Sequence, residues 1–147
     1  MSDGSFEDVT HELDALESEV EAMRVAVDEG EDSFAAAPAA RQTALRHLDA
    51  AMRHLLESAW SLIDEADWDE PEDNLDAIEI LAEEDVISGR LGSTLIGLAE
   101  YAAEHGEEEG WEASAESADA FEHVSEGVDA ITEYIELVHH FMKEWEA

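Results

Sequence analysis

A chain of 147 residues has the length of about one domain, enough for a single hydrophobic core. Hydrophobic residues make up 45% of it, so a formal charge of −35 does not make it a disordered acidic tail, because disorder needs low hydrophobicity as well as high charge. The absence of cysteine excludes disulfides, thiolate metal sites and cysteine nucleophiles.

The apolar pattern is helical from end to end. Phe6, Val9, Leu13, Leu16, Val20, Met23 and Val27 recur at steps of three and four, which lines them along one stripe of a first helix. That stripe reads either as a core face or as the coiled-coil seam of a dimer, since both use the same period. Gly30 is a stop signal, and "SFAAAPAA" reads as a connection, with Pro38 suited to the first turn of a second helix. The second helix carries Leu45, Leu48, Met52, Leu55, Leu56, Ala59 and Leu62 or Ile63 on its apolar side. "DWDEPEDN" is a turn, and Pro71 is expected to open a short third helix bearing Leu75, Ile78 and Leu81. "EEDVISGR" is a corner, with Ser88 as N-cap of a fourth helix through Leu91, Leu95, Leu98 and Ala102. A last helix carries Phe121, Val124, Val128, Ile131, Ile135, Val138 and Met142. Strand-like alternation, internal repeats and linkers are all absent, so residues 1–147 are expected to form one all-α antiparallel bundle of four long helices and one short one.

Forty-one Asp and Glu stand against six basic residues, of which only Lys143 is a lysine. In dilute buffer such self-repulsion opposes compaction, whereas at about 1 M salt the Debye length is only about 3 Å. This composition resembles that of proteins from salt-accumulating archaea. The acidity then reads as a solvated surface tuned to a salty cytoplasm, the other reading being attraction of basic partners or metal ions. Under the first reading repulsion of RNA is largely screened. No uncharged apolar run approaches the roughly 18 to 20 residues of a membrane span, and the acidic start "MSDGSFEDVTHELD" lacks the pattern of a secretory signal. The expectation is a soluble cytoplasmic protein.

Two stretches, "PAARQTALRHLDAAMRHLLESAWSLIDEA" (38–66) and "PEDNLDAIEILAEEDVISGRLGSTLIGLAEYAAEH" (71–105), resemble the HepT-like branch of the HEPN superfamily. That family has an Arg-rich start to its second helix, a middle segment A-[IV]-x-x-L-x-E-x-x-V-I, and then F-R-N-x-x-x-H-x-Y. Here the middle segment reads "AIEILAEEDVI", Ala77 to Ile87. The resemblance implies a helical homodimer, and many members are ribonuclease toxins paired with a minimal nucleotidyltransferase antitoxin. It also implies a catalytic Arg and His facing their copies across a dimer cleft, and a Tyr that the antitoxin can adenylylate.

Carried over by position, His105 matches the motif His, but the Arg falls on Glu100, the Asn on Tyr101 and the Tyr on Glu107. Cleavage by a 2′-hydroxyl needs a proton acceptor and a positive group on the phosphorane. Histidine suits the first role and arginine the second. Loss of one such donor costs about 10²- to 10³-fold in rate. Glu100 also places a negative charge where a positive one is required. The resemblance therefore implies a dimeric binding and assembly scaffold with a decayed ribonuclease motif and a nucleotidyltransferase as partner. The alternative is an active, metal-independent endoribonuclease toxin, acting on RNA with His105 as base and Arg46 or Arg53 as phosphate contact. Those two arginines lie seven apart and so project from nearly the same side of their helix; ion pairing with nearby carboxylates is the structural reading of both. Glu57, where relatives carry an acidic residue, reads as a helix-packing polar group.

No metal site and no cofactor are expected. His105 with Glu100, Glu107, Glu108 and Glu109 supplies suitable donors, but lacks H-E-x-x-H or paired E-x-x-H spacing. His47 with His54, and His139 with His140, read as helix-surface histidines. Trp111 reads as a residue pinning its loop to the bundle.

Overall fold

The computed structural model describes residues 6–36, 38–106 and 117–146. The helices are α1 (Glu7–Asp28), α2 (Glu31–Ala36), α3 (Pro38–Ala66), α4 (Asn74–Glu83), α5 (Gly89–Gly106) and α6 (Ser117–Glu146), and no strand occurs among the described residues. None of these helices is long and apolar enough to cross a membrane. The all-α expectation holds, with one helix more than the apolar pattern indicated.

The four long helices run up, down, up, down. On α1 and α3, Glu12 pairs with His54 and Glu19 with His47, so these two are antiparallel. α6 lies antiparallel to α1, with Phe6 against Trp145 at one end and Arg24 bonded to Thr132 further along. α3 and α6 form the short diagonal of the bundle and run parallel: Leu48 lies by Gly127, and Ser58 by Tyr134. α1 packs on α3 and α6, and among the described residues its backbone stays more than 8 Å from that of α5, which sits across the same pair with α4 beside it.

The stripe of α1 resolves as a core face. Val9, Leu13, Leu16 and Met23 are fully buried within the chain, so the stripe is not available as a dimer seam. Leu62 and Ile63 are both buried on α3, and the predicted apolar positions of α5 and α6 enter the same core, Phe121 only partly. Gly127 marks a close approach of three helices. A Cβ there would stand 3.0 Å from Met23 Cε and 3.1 Å from Leu48 Cδ1.

The connection after Gly30, whose φ is +94°, is itself a short helix. It drives Phe34 into the core, edge-to-face on Phe121 at 5.3 Å. Six residues are too few to show a helical period, which is why Phe34 is invisible to pattern reading. Pro71 does not open α4. The helix starts three residues later, where Asp73 caps it by accepting the Asp76 N–H at 2.8 Å. Ser88 caps α5 as expected, accepting from the Leu91 N–H at 3.0 Å.

α3 and α4 both end in a Schellman motif with aspartate in the left-handed position. Asp67 and Asp85 each have φ near 63°. The next N–H reaches back in each case, Trp68 to Ile63 O at 3.1 Å and Val86 to Leu81 O at 2.9 Å.

Candidate functional site

α5 carries the residues that stand at the expected motif positions. Glu100 is exposed. Tyr101 is turned inward at 8% exposure, its ring stacked on that of His123 of α6 with centroids 3.7 Å apart and planes within 7°. α5 is amphipathic, and the step of one residue from 100 to 101 is a turn of about 100° that separates a solvent-facing carboxylate from a core-facing phenol. A tyrosine buried in this way does not present its hydroxyl to a modifying enzyme. His105 lies in the last turn of α5. Its side chain, and all of Glu107, Glu108, Glu109 and Trp111, fall outside the described residues.

Arg46 and Arg53 are exposed on α3. The core face of α3 runs through Leu48, Leu55 and Leu62, and both arginines sit on the arc turned away from it. Arg53 donates to Asp49 one turn back at 3.1 Å, an exposed i,i+4 pair worth roughly 0.3–0.5 kcal/mol. α1 flanks this arc through His47 and His54, and α4 flanks the other side through the Trp60 indole N–H donated to Asn74 at 2.9 Å. Within one chain, then, the two arginines look outward between α1 and α4 rather than toward Glu100.

Glu57 lies on the same outward arc and is exposed, so it is not a packing group. It belongs to a cluster that sequence reasoning missed. The ligand atoms of Glu12, His54 and Glu57 all lie within 4.8 Å of one another. His54 Nδ1 is 2.7 Å from Glu12 Oε1 across the α1–α3 seam. The signal was present in part, because His47 and His54 repeat at seven on α3, as Glu12 and Glu19 do on α1. Only the antiparallel pairing of the two helices turns those repeats into contacts. One repeat along, His47 Nδ1 meets Glu19 Oε1 at 2.5 Å, but three residues after His47 stands Ala50, with no third ligand. His139 and His140 are exposed near the end of α6.

A shallow cleft of about 420 Å³ separates the start of α5 from α6. Arg90 faces Glu126, Asp129 and Glu133 across it, so it has the charge pattern of an ion-pair network rather than that of a phosphate site. Another, of about 460 Å³, is lined by Trp60, Trp68 and Pro71. Beside it, Trp68 packs on Phe141 and Trp145, closing one end of the bundle with aromatic rings. Compared with protein families, curated proteins and solved structures, the chain gives no significant match.

Proposed function

We propose that the chain is a HepT-like scaffold of the HEPN type, which binds and assembles rather than cleaving RNA. In this reading it forms a homodimer and takes a nucleotidyltransferase as partner. The observation that carries the reading is Glu100: an exposed carboxylate stands where the resemblance requires the arginine that holds the phosphorane. Tyr101, the nearest phenol, is packed inside and does not replace the missing target of adenylylation. Because the α1 stripe is buried within one chain, the dimer of this reading would use another face of the bundle.

The test is RNA cleavage by the purified chain and by His105→Ala in roughly 2–3 M KCl, where surface repulsion is screened. Molecular mass is read on the same samples by light scattering. The expected result is a stable dimer with no cleavage by either protein. Cleavage that disappears in His105→Ala would establish the ribonuclease reading. A monomer at micromolar concentration would overturn the assembly reading.

A further inference from the structure

We infer that Glu12, His54 and Glu57 form a binding site for a divalent transition metal of the zinc class, bridging α1 and α3. It is the imidazole that sets this group apart from the acidic surface around it. Carboxylates alone attract hard cations such as magnesium, which retain their water, whereas an imidazole nitrogen with two carboxylate oxygens selects the borderline metals.

Three features of the geometry suit an ion. His54 and Glu57 are three apart on α3, so they project from the same side one turn apart, and Glu12 comes to them from α1. Bonds of about 2.0–2.2 Å to one ion place tetrahedral ligand atoms roughly 3.4 Å apart. The set found here, with its ligand atoms within 4.8 Å of one another and the His54–Glu12 contact at 2.7 Å, brackets that spacing. Finally, the side chains of Glu12 and His54 are only 20% and 33% exposed, while Glu57 is open to solvent. The seam thus fixes two ligands and leaves the third free to admit the ion, with water completing the shell.

The protein carries its own control. His47 and Glu19 repeat the cross-helix pair one heptad away, but Ala50 occupies the place of Glu57. The ion therefore belongs to one pair and not to the other.

The experiment is titration of the full chain with CoCl₂ and ZnCl₂ in about 2 M KCl with excess MgCl₂, which screens and saturates the acidic surface. Binding is read by calorimetry and by the visible absorption of cobalt. One tight equivalent is expected. Glu57→Ala, an exposed change that copies the control pair, should weaken binding at least about tenfold, since even outer-shell partners of ligands are worth that much. His47→Ala should leave binding unchanged, and Ala50→Glu should add a second equivalent. Circular dichroism checks that each variant is folded. Equal binding by wild type and Glu57→Ala would overturn the site, as would loss of binding in His47→Ala or no binding above the magnesium background.

Discussion

Ser58 of α3 and Tyr134 of α6 share a 2.6 Å hydrogen bond at the centre of the core, where neither side chain is exposed at all. The Ser58 hydroxyl donates to Leu55 O at 2.6 Å, which leaves the Tyr134 hydroxyl to donate to Ser58, with a longer 3.4 Å contact to the same carbonyl. The two deletions are therefore not equivalent. Tyr134→Phe removes a donor whose acceptors remain occupied, and should cost about 0.5–1.5 kcal/mol. Ser58→Ala strands the buried phenol on its long contact and should cost more, about 1–3 kcal/mol. Denaturant unfolding of the two variants at constant salt measures the order.

The same phenol predicts an alkaline limit. Burial pushes the Tyr134 hydroxyl well above the ordinary tyrosine range, against a smaller opposing effect of the Ser58 hydrogen bond. The folded chain then keeps a proton that the unfolded chain gives up near pH 10. The contribution is complete below about pH 10, and stability falls above it by up to about 1.4 kcal/mol per pH unit. In Tyr134→Phe this slope should become shallower, as unfolding free energies measured from pH 9 to about 11.5 will show.

Asp67 and Asp85 hold left-handed conformations with a carboxylate at a helix C-terminus, where the dipole disfavours negative charge. Glycine takes the same backbone without steric cost. Asp67→Gly and Asp85→Gly should each stabilise the protein by a few tenths to about 1 kcal/mol, the relief of strain exceeding the added entropy of the unfolded chain. Thermal unfolding in one buffer gives the sign; a fall in Tm for both would contradict it.

With 41 acidic residues against six basic ones, salt should act as a stabiliser. The Debye length falls from about 10 Å at 0.1 M to about 3 Å at 1 M, so Tm in KCl should climb most steeply over that interval and flatten beyond it. An unchanged Tm would mean that the carboxylates are already far enough apart to ignore one another.

Much of the fold was legible in the sequence because it rests on period. The stripes of Leu13, Leu55, Leu95 and Ile131 each persist over several turns, and all of them are buried. Features decided by one or two residues were not legible. Phe34 sits in a helix too short to show a period, and the start of α4 depends on the Asp73 carboxylate rather than on the more conspicuous Pro71. The site was less legible still. His54 and Glu57 can be placed on one side of α3 by counting, but their third member comes from 42 residues away and is supplied by the antiparallel α1–α3 pairing. Glu57 read as a packing group because its partners were unknown, and its exposure corrects that reading.

Among the described residues the backbones of α1 and α5 stay more than 8 Å apart, and both helices pack on α3 and α6. The bundle is thus two flanks on a shared spine. Amide hydrogens of α1 can exchange by opening of that helix from the spine while α4 and α5 stay closed, and the reverse holds for the other flank. The middle of α3 and α6, where Ser58 meets Tyr134 and Gly127 meets Leu48, should be the last to exchange.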